Sequence, residues 1–267
     1  MASQKLQPGY GKAASSLQSR RRPGSSISYD IFVLMPRLLD RVSRRLQRWY
    51  NFRVIASSVA GKKGLEIGGP SHEFSKVGLI PIYPLLGSLQ TSNYSQGNLW
   101  SEDTFDYILD ATRLESVENG QYDFLLACHV LEHIANPLKA LKEWHRVLKP
   151  HGSLLILLPD KNHTFDHRRP YTTFAHLKDD LDRNIEENDL THLDEILALH
   201  DLERDPPAGT LAEFKERSLR NFENRALHHH VFDPKMISEL FSFAGFKLLR
   251  ESVDFPPNIV AFGRKLG

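Results

Sequence analysis

Residues 63–71 read Lys63-Gly64-Leu65-Glu66-Ile67-Gly68-Gly69-Pro70-Ser71. A short apolar run ends beside an acid, and two glycines follow at once. Glycine adopts positive φ without strain and has no Cβ, so a ligand can approach the backbone closely. The acid disfavours a phosphate at this turn and suits a ribose or a cationic amino-acid group. The combination points to a nucleoside cofactor that lacks a pyrophosphate. The spacing Gly68-Gly69-Pro70-Ser71-His72 is not the G-x-G-x-x-G of a dinucleotide site, which argues against a dinucleotide-dependent oxidoreductase.

Outward from the turn, 63–67, 88–93, 106–109, 122–127 and 153–158 read as strands, joined near the C-terminus by 246–252 and 258–263. Helical patterns cover 135–148, ended by Lys149-Pro150-His151-Gly152, and 234–244, ended by Ala244-Gly245. This alternation predicts an α/β fold with a Rossmann-like, doubly wound, mostly parallel sheet. Only Asp254-Phe255-Pro256-Pro257 separates the last two strands. That is too short for a parallel crossover, so the C-terminal strand is expected to run antiparallel.

With 267 residues, 40% hydrophobic and 25% charged, the chain can bury a full core and is expected to form one domain with elaborations. No apolar run approaches the roughly 18–20 residues that span a bilayer. Cys128 is the only cysteine, which fits a reducing compartment. Arg20-Arg21-Arg22 precede only a short apolar run, Ile31 to Met35, a poor secretion signal; a cytoplasmic location is expected.

Charge is distributed unevenly: residues 1–63 hold thirteen Lys/Arg and two acids, out of 34 bases and 33 acids in all. Residues 1–28 are expected to be a disordered tail, and 29–60 a basic helical extension. Within 31–56, Met35, Leu38, Leu39, Val42, Leu46 and Trp49 recur at helical spacing while five arginines take the other face. The plain reading is a docking helix with a solvated basic face; the alternative is peripheral contact with an anionic membrane. The main domain is expected over 61–267, with a helical insertion at about 160–233. Its stretch 178–205 holds eleven acids against Lys178, Arg183 and Arg204, with Ile185, Leu190, Leu193, Ile196, Leu197 and Leu199 suggesting short amphipathic helices. An insertion leaving the carboxyl end of a strand covers the place where ligands bind, so a cap is expected. A solvated acidic surface is the competing reading.

Four segments gather at strand carboxyl ends: Leu65–Gly69 after the first strand, Ile108-Leu109-Asp110-Ala111 after the third, Tyr122–His133 along and beyond the fourth, and Leu154–Asp160 closing the fifth. In these motifs the chain resembles the class I S-adenosylmethionine-dependent methyltransferases over about 60–160 and 226–263. The similarity is closest to the small-molecule branch with an HVLEH segment, here His129-Val130-Leu131-Glu132-His133. The resemblance implies S-adenosylmethionine as cofactor and in-line transfer of its methyl group to an oxygen, less readily a nitrogen, of a small-molecule or lipid-linked acceptor. It also implies that Glu66 and the Gly68-Gly69 turn, completed by Pro70 and Ser71, hold the methionine part. Asp110 with the Ala111 amide would recognise the adenine, and His129 would line the pocket beside the sulfonium. Two departures stand out. Pro70 and Ser71 replace the family's third glycine, and no acid follows the second strand, which leaves Asn93 to meet a ribose hydroxyl. The missing acid keeps open a non-catalytic binding protein of the same fold. No Asn/Asp-Pro-Pro-aromatic motif follows the fourth strand, so a nucleic-acid partner is not expected.

His129-Val130-Leu131-Glu132-His133 also matches H-x-x-E-H. A metalloprotease needs both histidines on one helix face, whereas this motif begins at the end of an apolar strand. Some O-methyltransferases carry E-x-x-E-H here and bind a divalent metal; His129, Glu132 and His133 would match, with His230 as an extra ligand. An imidazole in first place disfavours a hard cation such as magnesium, and no metal site is assigned. His133, His167 and His230 are the catalytic candidates, since an imidazole can accept a hydroxyl proton near neutral pH. His163 shares the loop of His167, whose Arg168-Arg169 would favour an anionic acceptor. Cys128 is expected to be buried rather than nucleophilic.

Overall fold

A computed structural model describes residues 49–96, 104–255 and 258–267. The tail expected over 1–28, and the basic extension up to residue 48, lie outside the described residues. Residues 49–59 are helical (α1) and bury Ile55 and Val59.

Seven strands make one sheet: β1 (Lys63–Ile67), β2 (Ser88–Asn93), β3 (Tyr107–Ile108), β4 (Tyr122–Cys128), β5 (Leu148–Pro159), β6 (Phe246–Phe255) and β7 (Asn258–Lys265). Their order is β3-β2-β1-β4-β5-β7-β6. The first five pair parallel. β7 lies between β5 and β6 and runs antiparallel to both, as the short connection requires. Chain order reverses between β1 and β4. That switch point opens a crevice at the strand carboxyl ends.

The apolar runs form strands because both sheet faces are covered. Leu65, Ile67, Leu125, Ala127, Leu154 and Ile156 face Leu138, Leu141 and Trp144 of α2 (Pro137–Val147) and Ile237 and Phe241 of α7 (Ile237–Phe243). The alternate residues Phe124, Leu126, Leu155 and Leu157 pack with Ile55, Val59, Phe74 and Ile82. α2 begins at Pro137 because the Asn136 side chain accepts the Lys139 amide at 3.1 Å, and proline suits the first helical position. The helix expected over 234–244 divides into a 3₁₀ turn, Pro234–Met236, and α7. β5 starts earlier than the pattern implied, since Leu148 already pairs with Tyr122.

The insertion folds as α3 (Phe174–Asp182), α4 (Leu193–Leu199), α5 (Leu211–Leu219) and the single turn α6 (Asn221–Asn224). Its own core is small: Ile196, Ala208, Phe214 and Leu227. Asp180, Glu187 and Asp201, part of the acidic stretch, are buried, so that stretch is not simply a solvated surface. Among the described residues no helix is long and apolar enough to cross a membrane.

Candidate functional site

A cavity of about 440 Å³ lies at the switch point between the sheet edge and the insertion, within the size range of small-ligand sites. Gly68, Asn93, Asp110, Ala111 and His129 line it from the strand ends. Glu132 and His133 extend that wall, and Phe165, Glu187, Arg225 and His228 face it from the insertion, which therefore caps the cavity.

The glycine turn divides into two parts. Gly68 has φ +74 and borders the cavity, where an added Cβ would stand 2.4 Å from Val130 Cγ2. Glu66, Gly69, Pro70 and Ser71 are not among the lining residues. Glu66 is fully buried beneath the turn. Its Oε1 accepts the Ser71 amide at 3.0 Å and the Ser71 hydroxyl at 2.6 Å, and its Oε2 accepts the Tyr83 hydroxyl at 2.5 Å. Burial outweighs these bonds and pushes its pKa up to about 7. A Cβ at Gly69 would meet Glu66 Cδ at 2.2 Å. The carboxyl group thus shapes the turn from behind.

Asp110 accepts the Thr112 amide at 2.8 Å and hydroxyl at 2.6 Å through Oδ1. Its Oδ2 meets Arg225 Nη1 at 3.2 Å, and the same nitrogen lies 3.1 Å from Glu187 Oε2. Burial would raise the Asp110 pKa, but the Thr112 bonds and Arg225 outweigh it and lower it. Arg225 therefore ties the cap to the acid at the third strand end. His129 adopts φ +51 and is held by Asn258 Oδ1 at 2.5 Å, beyond β4 and beside β7. Cys128 at the cavity floor is buried, and burial raises its thiol pKa. A protonated thiol is not a nucleophile.

A group of titratable side chains surrounds His228 at the cavity wall. Its Nδ1–H donates to Asp166 Oδ2 at 2.5 Å, and Asp166 Oδ1 accepts Arg169 Nη1 at 3.0 Å. The His133 ring stands edge-on to the His228 ring with centroids 4.5 Å apart, and its Nδ1 bonds the Leu227 carbonyl at 3.1 Å. Burial first, and the neighbouring His228 second, hold His133 well below the usual imidazole range. Glu132 is 1% exposed and neither carboxylate oxygen has a hydrogen-bond partner; burial raises its pKa. Ligating atoms of Glu132, His133 and His228 lie within 4.8 Å of one another.

Of the three expected catalytic histidines, only His133 lines the cavity. His167 turns instead to Asp201, donating from Nε2 at 2.7 Å, and Arg168 reaches the same carboxylate oxygen at 3.0 Å. His230 is buried elsewhere, its amide bonded to the Glu132 carbonyl at 3.3 Å and its Nε2 to the Ala135 carbonyl at 3.2 Å. Arg169 is 1% exposed and occupied by four internal acceptors, so it cannot also reach an anionic acceptor. Sequence reasoning missed His228, Asp166 and Arg225. The tripled histidine His228-His229-His230 signalled that something was there but not which ring would face the cavity.

Comparison with known proteins adds the following. A model of the methyltransferase-domain family matches residues 37–251. No protein with a curated description matches the chain. Among solved structures, an S-adenosylmethionine-dependent methyltransferase from Mesorhizobium loti is similar at 11% identity and TM-score 0.46, covering 81% of this chain and 97% of that one. One from Aquifex aeolicus is similar at 11% identity and TM-score 0.44, with 80% and 88% covered. One from Methanosarcina mazei shows 16% identity and TM-score 0.42, with 80% and 97% covered.

Proposed function

The chain belongs to the methyltransferase-domain family, with S-adenosylmethionine as the expected cofactor, and on that premise we propose that it methylates a hydroxyl oxygen of a small or lipid-linked acceptor, with His228 as general base. The observation that carries the reading is His228, bonded to Asp166 behind it, facing the same cavity as Gly68 and Asp110.

The residues present fit the cofactor. Gly68 lets the backbone approach a ligand, Asn93 and Asp110 offer oxygen acceptors at neighbouring strand ends, and the cavity volume suits a nucleoside-sized ligand. Bound there, S-adenosylmethionine supplies an electrophilic methyl group on a sulfonium. Gly68, Asn93, Asp110, Ala111 and His129 are assigned to holding it. Glu66, Gly69, Pro70 and Ser71 act through the shape of the turn. Arg225 must exchange part of its bond to Asp110 when a ligand engages that acid.

His228 supplies the acid–base part. Its Nδ1–H is fixed by Asp166, which leaves Nε2 to take the proton of an acceptor hydroxyl as the oxygen attacks. Asp166 then stabilises the imidazolium. His133, held neutral, and Glu132 complete the acceptor wall, and Phe165 and the cap exclude water from it. Placing the acceptor oxygen in line supplies most of the remaining rate advantage.

The test is label transfer from methyl-labelled S-adenosylmethionine to a panel of phenols and hydroxylated lipids. Transfer to oxygen is the expected result. Tight cofactor binding with no transfer to any acceptor would favour the non-catalytic alternative. Gly68→Val is expected to weaken cofactor binding at least tenfold by calorimetry, about 1.4 kcal/mol, because its side chain meets Val130 at a strained positive φ. Wild-type affinity in that variant would show that the turn does not approach the ligand. No divalent ion is expected to take part in the transfer step itself. A divalent-ion requirement that persists in His192→Ala and disappears in Glu132→Gln would instead give Glu132, His133 and His228 a metal-binding role.

A further inference from the structure

A second histidine cluster lies outside the cavity. His176 stands in the first turn of α3, His192 immediately precedes α4, and His230 lies on the segment that returns from the cap to the sheet. One ring nitrogen from each falls within 4.8 Å of the other two. The Nε2 atoms of His176 and His192 are only 2.8 Å apart, a contact that requires a lone pair on at least one of them. Asp180 on α3 brings Oδ2 to 3.3 Å from His176 Nε2 and 3.8 Å from His230 Nε2.

The inner side of the cluster is buried, with His230 1% and Asp180 3% exposed, while the His176 side chain reaches the surface at 38%. Three buried polar atoms lack a hydrogen bond: His230 Nδ1, His192 Nδ1 and Asp180 Oδ2, whose approach to His176 is an ion-pair contact only. Buried polar atoms are nearly always satisfied, so His230 Nδ1 and Asp180 Oδ2 call for a missing partner, while His192 Nδ1 lies 3.8 Å from Asp189 Oδ2 and presents its Nε2 to His176. The arrangement of the rings names the kind of partner. Three imidazoles around a tetrahedral ion, with metal–nitrogen bonds of about 2.0–2.1 Å, place their ring centroids roughly 5 Å apart. The observed separations are 4.9, 5.4 and 5.8 Å.

We propose that His176, His192 and His230, with the Asp180 carboxylate beside them, bind a zinc-like divalent ion that ties the first helix, the middle and the returning end of the cap together. Nitrogen donors select a borderline transition ion over magnesium or calcium, which take oxygen ligands. The neighbouring trio Asp189, His192 and His229 is less suited, because His229 Nε2 already lies 2.9 Å from the Asn221 amide nitrogen. The ion would join three segments separated in sequence, and a group that binds only the folded chain stabilises it by mass action. The inference does not rest on the acceptor or on the role of His228.

The test uses the full chain, stripped with a chelator and refilled with zinc or cobalt. The expected result is one equivalent of zinc retained through dialysis by elemental analysis, and an intense visible cobalt spectrum of a tetrahedral site. His176→Ala and His192→Ala are expected to lose at least tenfold in zinc affinity while keeping the far-ultraviolet spectrum of a folded chain, and His228→Ala to retain the ion. The cobalt spectrum of the wild-type chain needs no variant, so its absence is decisive even if the variants misfold. Absence of both zinc retention and a tetrahedral cobalt spectrum in the wild type overturns the proposal. Zinc lost in His228→Ala but kept in His192→Ala also overturns it, by moving the ion to the acceptor cavity.

Discussion

Replacing His228 with alanine is expected to lower kcat for methyl transfer about 10²–10⁴-fold, the contribution of a positioned general base, with cofactor affinity close to wild type. The pH dependence carries the finer test. Burial alone would lower the His228 pKa, but the charge and hydrogen bond of Asp166, aided by Glu132, raise it above the ordinary imidazole value. The neutral ring is the base, so transfer rises with pH through that raised pKa. Asp166→Asn removes the raising charge. Its rate limb therefore moves to lower pH while kcat falls, because the imidazolium formed by proton transfer loses its counter-charge. A kcat–pH profile and an imidazole titration by nuclear magnetic resonance read the two effects separately. An unmoved limb with undiminished kcat in Asp166→Asn would remove the pair from the mechanism.

The sheet was legible because its signals are local. Apolar runs such as Leu154–Leu158 form strands wherever both faces are covered, and the short connection between Phe255 and Asn258 leaves no choice of direction for β7. Gly68, Asn93 and Asp110 were legible for the same reason, since the end of a strand fixes where its last residues stand. Glu66 was assigned to the cofactor by resemblance, but its fully buried side chain lies under the turn, bonded to Ser71 and Tyr83. Neither bond has a sequence signature. The acceptor side was much less legible. His228 and Asp166 are 62 residues apart, and they meet only because the cap folds back across the cavity. Three consecutive histidines have no helical or strand period, so nothing in their spacing shows that His228 faces the cavity while His230 turns to His176 and His192. The expectation that Arg168-Arg169 favour an anionic acceptor rests on the charge and fork geometry of guanidinium, which says nothing about burial. In the structure Arg169 is buried, and its partners explain why.

Arg169→Met is expected to cost about 3–5 kcal/mol, the penalty for breaking a buried ion pair by removing one partner. The guanidinium donates from Nε to Glu195 Oε1 at 2.9 Å, from Nη1 to Asp166 Oδ1 at 3.0 Å and the His228 carbonyl at 2.8 Å, and from Nη2 to the His229 carbonyl at 3.1 Å. One side chain thus joins the loop after β5, α4 and the returning segment. Methionine fills a similar volume but leaves the Asp166 oxygen and two carbonyls without their donor in the interior. The cap has little to absorb that loss, since its own core holds only Ile196, Ala208, Phe214 and Leu227 as fully buried members. Arg169→Lys keeps the charge and loses the planar fork, so its cost should fall between the two. The measurement belongs where Asp166 and His228 are both charged. Asp166 has its pKa depressed to about 2, so it contributes stability above the ordinary carboxylate value of 3.8 and loses it as the pH falls toward 2. His228, raised, contributes fully below 6.5 and loses its share as the pH climbs through the raised value. Urea unfolding between about pH 4 and 6.5 therefore reads the network at full strength. Limited proteolysis distinguishes a cap that opens alone, with early cleavage confined to 160–233, from a chain that unfolds as one unit. A loss below about 1 kcal/mol, within the range of exposed ion pairs, would mean that the cap is held elsewhere.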